Sequence, residues 1–424
     1  MAATVSTVQE ALKYTYGVNK VLYLFNQESP TFKILGKVKK PVGGRGQFLM
    51  PTMIANAGAF TGIVEGGTLP TSLNPDTAEA SFALQEYVGM YDMSWKLMQD
   101  ARSDKFAFQQ ALVMLEEGLR RRIMRNLNSD LVDDGRGRLA ILPAADNTSP
   151  ITVNALPRLE TGMVVDVMDD SDDDTKLADS VTVTGVDVQA RTIKTSGNPS
   201  STAAGDYFVI QDTCDDSVNN SLHSHGLLGV IDSANPNAMA GNYGGINRST
   251  AGNEYWQAVE LGNSGTNRPL TEDLLLQAMD ACREKGGNPI NAWLSNLAII
   301  RRYHEILAGE RYFALSKPGI LEGGIGRKEG KPAEDGLTPY EFSGIPWYVD
   351  PFFNANVVIG LDTNHFFLGV GENEVPRPIS EVFDNVPFFR QTTSATFEVA
   401  WYYQMQLLSD NPAAGVKISD VAES

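Results

Sequence analysis

Apolar positions change period several times along the chain, and each change marks a new element. Over residues 1–42, Val8, Leu12, Tyr16, Leu22, Leu24 and Phe25 give broken helical spacing, which reads as an arm. Ser29-Pro30 is expected to stop it, because the residue before proline avoids the helical region. The arm ends in basic residues, Lys33, Lys37, Lys39 and Lys40. Residues 43–86 carry Gly43, Gly44, Gly46, Gly58, Gly62, Gly66, Gly67, Pro70 and Pro75. Between them lie short β-type runs at 47–50, 59–64 and 78–84. That density excludes helix and predicts a long two-stranded excursion with a Gly/Pro-rich tip. An isolated hairpin is marginal in water, so this one leans on its own domain or on another subunit.

Residues 87–100 alternate as a strand leading into a turn, and Ser103 or Asp104 can cap a helix. Leu112, Leu115, Leu119, Ile123, Leu127 and Leu131 then step by threes and fours, predicting a helix over 104–133, about 42 Å long. Its other faces hold Glu116, Glu117, Arg120, Arg121, Arg122 and Arg125, as either a solvated self-paired surface or a contact with a neighbouring subunit or packed nucleic acid. Residues 151–222 switch to period two at 163–168, 181–188, 190–195 and 207–211, which reads as an inserted all-β domain. It carries Asp166, Asp169, Asp170, Asp172, Asp173 and Asp174. Counted from Asp169, the sixth and twelfth positions are Asp174 and Ser180 rather than the Gly and Glu of a calcium loop, leaving a solvated acidic loop or an opportunistic cation site. His223 and His225 have no third metal ligand nearby. From 223 to 385 an α/β pattern follows: helices at 274–281 and 297–308, a strand at 292–295, a Gly/Lys loop at 316–338, and strands at 345–349, 357–361 and 365–370. Aromatic-rich strands at 396–399 and 402–408 close the chain and are expected to rejoin the early strands in one sheet.

The chain has 424 residues, 42% of them hydrophobic, enough for two to three domains with real cores. Acidic residues number 52 against 34 basic ones, a net charge of −18, which disfavours a broad duplex-binding surface and docking on an anionic membrane. Cys214 and Cys282 form neither a disulfide framework nor a zinc pattern, which fits a reducing interior. No basic start followed by an apolar run opens the chain, and no apolar stretch is long enough to span a bilayer. A soluble chain made in the cytoplasm is expected. Phosphate-binding, zinc-protease and nucleophile-elbow motifs are missing. Carboxylates are plentiful, yet nothing singles out one acid–base pair. No catalytic, cofactor-binding or metal-binding residue is assigned, and the chain is not read as an enzyme.

The order of these parts resembles a tailed-bacteriophage major capsid protein of the Hong Kong 97 type. Gly286-Gly287-Asn288-Pro289 before 292–296 is similar to the start of that family's axial domain. Phe342-Ser343-Gly344-Ile345-Pro346-Trp347-Tyr348-Val349-Asp350 is similar to its Gly-Ile-Pro, strand, Asp segment. The pair at 357–361 and 366–369, and the end at 397–408, Asn411-Pro412 and 416–418, also fit. The resemblance covers nearly the whole chain except the β insertion.

It implies an α+β fold with an arm at 1–42, an extended loop at 43–86 lying over a neighbour, and a peripheral domain at 87–150 with a spine helix. The insertion at 151–222 would project, 223–385 would form the axial domain, and 386–424 would return to the peripheral domain. Copies would form hexamers and pentamers of an icosahedral shell in a virion, assembled in the host cytoplasm. That shell would enclose double-stranded DNA contacted without sequence preference, with scaffolding, portal and decoration proteins as separate partners and no membrane. Arg45, Phe48, Met50, Phe60, Ile63 and Val64 of the loop, with Arg120, Arg121, Arg122 and Arg125 of the helix, are the expected subunit contacts. No lysine lies between Lys40 and Lys96, so covalent welding of subunits from the loop is not expected. Alternatives are an encapsulin-type compartment and an acidic hydrolase with a carbohydrate-binding β insertion.

Overall fold

A computed structural model describes residues 30–39, 47–55, 59–65, 67–71, 74, 76–94, 105–154, 158–170, 175–187, 189–215, 220–236, 240–287, 289–314, 340–353, 356–371, 376–379, 389–390 and 396–422. The broken periodicity at 1–25 and the loop at 316–338 lie outside these residues, as does Arg45.

In chain order the elements begin with α1 (Pro30–Ile34), β1 (Gly36–Lys39), the hairpin strands β2 (Gln47–Ala55) and β3 (Asp76–Ala83), β4 (Gln85–Ser94) and the long helix α2 (Lys105–Val132). The insertion supplies β5 (Ala140–Ile141), β6 (Ile151–Thr152), β7 (Val164–Met168), β8 (Lys176–Asp187), β9 (Thr192–Thr195), β10 (Tyr207–Ile210), β11 (Cys214–Asp215) and β12 (Asn220–Ser221). Then come α3 (Leu227–Val230), β13 (Val259–Leu261), α4 (Glu272–Gly286), β14 (Ala292–Ser295) and α5 (Leu297–Ala314). The chain ends with β15 (Tyr340–Phe342), β16 (Ile345–Val349), β17 (Val358–Leu361), β18 (Phe366–Val370), β19 (Arg377–Pro378), β20 (Phe389–Arg390), β21 (Thr396–Ser409) and β22 (Gly415–Ile418).

Three six-stranded sheets organise the described residues. The first is built on β21, one continuous strand where the sequence suggested two. Its one edge pairs with β4 over ten residues, Gln85 to Ser94. Its other edge takes β18, β19 and β20, and β1 adds in parallel to β18. Strands from opposite ends of the chain therefore share a sheet, and α2 lies on it. Leu119, Met124, Leu127 and Leu131 of the helix are buried in one cluster with Leu368, Val399, Trp401, Tyr403, Met405 and Leu407. Gly89 lets the helix sit directly on β4, since a Cβ there would lie 2.8 Å from Ile123 Cδ1.

The second sheet, ordered β13-β22-β17-β14-β16-β15, packs against α4 and α5 through Trp293, Trp347, Ile299 and Tyr303. Thr271 caps α4 by accepting from Leu274 N, and left-handed Gly287 ends it after Gly286, five residues beyond the end that the apolar spacing predicts. The third sheet, β5-β10-β7-β8-β9-β6, belongs to the insertion and encloses a core of its own.

Pro30 begins α1, as a proline at the first helical position can, its missing N–H being unpaired there anyway; the segment expected to stop at Ser29-Pro30 lies outside the described residues. One expectation is corrected. The β-type run at 59–64 makes no strand, because hairpin pairing stops at Ala55 and Asp76. Cys214 and Cys282 are buried and not bonded to each other. Among the described residues no helix is long and apolar enough to cross a membrane.

Candidate assembly surfaces and the junction beneath them

The β2–β3 ribbon has a buried base and a bare tip. Phe48, Ala80 and Phe82 anchor the base in the body core, and the Phe82 ring meets Tyr243 at 4.9 Å in a tilted pair. Phe48 is therefore spent inside its own chain and is not presented to a neighbour. Met50 is half-buried against the same core. Beyond the last strand pair the described residues 59–65 and 68–71 are all exposed. Phe60 is fully exposed at 103%, with Ile63, Val64 and Leu69 also open, and Gly67 N donates to Val64 O at 2.9 Å to turn the tip. Leu49, Val88 and Met90 add exposed apolar groups on β2 and β4.

The arginines of α2 do not form one surface. Arg120 is buried, bonds Glu116 at 3.3 Å one turn earlier and lies 6.0 Å from the Trp401 ring, so it is a core residue rather than a subunit contact. Arg122 (3.4 Å) and Arg125 both reach Glu160 of the insertion. Arg121 is exposed and, alone of the four, makes no ion pair among the described residues.

Sequence reading missed the densest polar site, at the C-terminal end of α2. Asp130, Asp133 and Asp134 sit where a helix dipole disfavours anions, and the last turn has no basic residue. Cations from elsewhere compensate. Arg138 donates to Asp133 Oδ1 (3.1 Å) and pairs with Asp134 (3.1 Å); Arg158 lies 3.7 Å from Asp133 and donates to the carbonyls of Arg138 (2.6 Å) and Phe352. Arg136 pairs with Asp134 (2.9 Å) and Asp170, and stacks 4.8 Å from the Tyr207 ring. Burial opposes charge on Asp134, but Arg138 and Arg136 override it and hold its carboxyl well below the usual carboxylate range.

Deeper still, Asp350 is fully buried. It accepts from Thr31 Oγ1 at 2.6 Å, from Asn128 Nδ2 at 3.2 Å and from Phe352 N at 3.0 Å. One carboxylate thus ties α1, α2 and the loop after β16 together. Burial raises its pKa, against the pull of those donors.

The two histidines are both held inside the chain. His223 Nδ1 bonds Asp130 Oδ2 at 2.8 Å. Burial disfavours its charge, yet Asp130 prevails and raises its pKa. His225 packs edge-on against Tyr243 at 5.3 Å, and burial, with Arg248 nearby, lowers its pKa to about 4. Asp166 is not part of a solvated loop: it is a buried β7 residue whose carboxylate accepts from Ser180 N (2.9 Å) and Asp212 N (3.0 Å). It comes together with Asp179 and Asp212, but the Lys176 ammonium, 3.0 Å from Asp166, lies among them as the chain's own cation.

No protein-family model and no curated protein matches the sequence. Solved structures do. A chain of the Cyanophage A-1(L) capsid asymmetric unit superposes with a TM-score of 0.53 at 12% identity, covering 92% of both chains. The capsid of an empty GTA particle (TM-score 0.43, 11% identity, 92% of this chain and 89% of that one) is a looser likeness that carries no argument. The same holds for the holo-SrpI encapsulin complex from Synechococcus elongatus PCC 7942 (TM-score 0.43, 8% identity, 94% and 90%). The cyanophage likeness, running from end to end, shows that this chain has the fold of a phage capsid protein, the fold that its sequence resembles.

Proposed function

We propose that the chain is a major capsid subunit, assembling with copies of itself into the closed shell of a tailed phage. The observation that carries this reading is the hairpin tip, held out on a capsid fold with Phe60, Ile63, Val64 and Leu69 uncovered. A monomer gains nothing from four exposed apolar side chains on a stalk, whereas a neighbour covering them gains about 1.5–3 kcal/mol for each. Lost translational and rotational freedom removes much of that sum, so single contacts stay modest and the closed shell is stable through their number. Burial of Phe48 and Arg120, and engagement of Arg122 and Arg125 by Glu160, narrow the proposed subunit contacts to the tip, Met50 and Arg121, with Arg45 kept as proposed.

The net charge of −18 suits a container that admits DNA without gripping it. Hexamers and pentamers, virion location, assembly in the host cytoplasm, and separate scaffolding, portal and decoration proteins belong to the same proposal. Electron microscopy of the purified chain tests it: hollow particles are expected, and a lone monomer at high concentration would overturn it. Nucleic acid inside particles from the natural source separates a virus shell from a protein-filled compartment.

A further inference from the structure

Among the described residues the insertion and the body share no apolar core. The insertion cluster draws on Leu139, Ile151, Val165, Val181, Ile193 and Phe208 among others, all between 139 and 208. The body cluster breaks off at Val132 and resumes at Leu227. What crosses the boundary is charge, in two tiers with Arg136 (8% exposed) on Asp170 (41% exposed) between them. The deep tier is Asp133 with Arg138 and Arg158, and Asp130 with His223, with exposures from 2% to 13%. The shallow tier is Glu160, 29% exposed, shared by Arg122 at 52% and Arg125 at 32%. Salt separates them. Dissolved ions screen partly exposed pairs within a Debye length of about 10 Å at 0.1 M, while buried pairs are screened far less. The deep tier also sits where the chain enters and leaves the insertion, since Gly137 and His223 are in contact. Glu160 meets α2 about two to three turns before that point, at Arg122 and Arg125, which gives it leverage over the insertion's attitude.

We propose that the insertion is a separate cooperative unit, held to the long helix by Glu160 as a salt-sensitive latch over a buried ionic pivot, and that it loosens from the helix without unfolding when the latch opens. Free energy is then distributed unevenly, with the insertion core and the pivot high and the latch low. This holds for the single chain, whether or not copies assemble.

Hydrogen exchange on the full-length chain tests it. In Glu160→Gln, peptides over 119–126 and 158–163 should exchange about two- to five-fold faster, the range of a partly exposed ion pair. Peptides over β7, β10 and residues 128–133 should keep wild-type protection. Wild type in about 1 M salt, where screening reaches about 3 Å, should match the variant. The double variant Arg122→Gln/Arg125→Gln should reproduce it from the helix side. Unchanged exchange at both latch segments, or a wild-type profile indifferent to salt, would overturn the latch. Faster exchange rising in step across β7, β10 and the body core would overturn the separate unit.

Discussion

The hairpin tip and the junction at the end of α2 invert the usual placement of residue types. At the tip, Phe60, Ile63, Val64 and Leu69 stand in solvent. At the junction, Asp133, Arg136, Arg158 and Asp350 are all buried. The junction is closed within the chain: its carboxylates meet guanidinium groups, backbone N–H groups or hydroxyls. The tip is left open, and only another surface can close it. The difference teaches that charge reports on how a chain's own parts are joined, while uncovered apolar area reports on what the chain joins next. A buried ionic junction gains little over an apolar one in net stability, but removing one partner leaves its mate stranded in low dielectric.

That asymmetry sets the largest predicted effect. Asp133→Ala should cost about 3–5 kcal/mol, because in a buried site Arg158 loses its counter-charge and Arg138 is left with Asp134 alone. The urea midpoint of the purified chain measures it. A loss under about 1 kcal/mol would mean that the junction is no more essential than an exposed ion pair. Next is Gly226→Ala, at about 2–3 kcal/mol on the same measurement. The returning chain crosses the end of α2 so closely that a Cβ would lie 2.2 Å from the Asp130 carbonyl oxygen and 2.3 Å from that of Asp133. Both oxygens belong to the main chain at the end of α2, so relief requires the backbone itself to shift.

Acid should probe the junction from a third side. An unfolded His225 titrates near the ordinary imidazole value of about 6.5, and burial, followed by the charge of Arg248, lowers that to about 4 in the fold. Between those values the unfolded chain binds a proton that the folded chain refuses, so stability falls as pH falls. At 1.36 kcal/mol per pH unit the loss by pH 5 is about 2 kcal/mol. His223 has the opposite sign: its raised pKa contributes stability that is full below the unfolded value and is lost as pH rises through the folded one. Denaturation at pH 7 and pH 5 should therefore show a shallower acid slope in His225→Gln than in wild type. Equal slopes would remove His225 from the acid response.

The contrast also marks what the sequence could say. The 3.6-residue spacing of Leu119, Ile123, Leu127 and Leu131 placed the long helix to within a residue at each end, because one apolar stripe on one sheet decides it. Period-two runs placed the insertion strands for the same reason. The exposed tip was legible as glycine and proline around Phe60 and Val64. The junction was not, because its members lie at 31, 128, 133, 158, 223 and 350, and no local pattern records pairs that distant. Arg120 and Arg121 are adjacent and identical in chemistry, yet one is buried and one exposed. A helix turns about 100° per residue, so neighbouring positions face different surroundings. Asp166 looked like the start of an acidic run, although its strand position turns it inward.

The smallest effect on the isolated chain is the most telling for the tip. Phe60→Ser with Val64→Ser removes apolar area that the folded monomer does not bury, so its urea midpoint should shift by no more than about 0.5 kcal/mol. Assembly should respond quite differently. If a neighbour covers both side chains, each contact loses about 3 kcal/mol or more of gross burial. That is roughly two powers of ten in its dissociation constant. Because a closed shell repeats the contact at every copy, particle yield by sedimentation should collapse while the monomer stays folded. Equal particle yield would show that the tip is covered by nothing that matters. A destabilised monomer would show instead that the tip folds back on its own chain, and would erase its contrast with the junction.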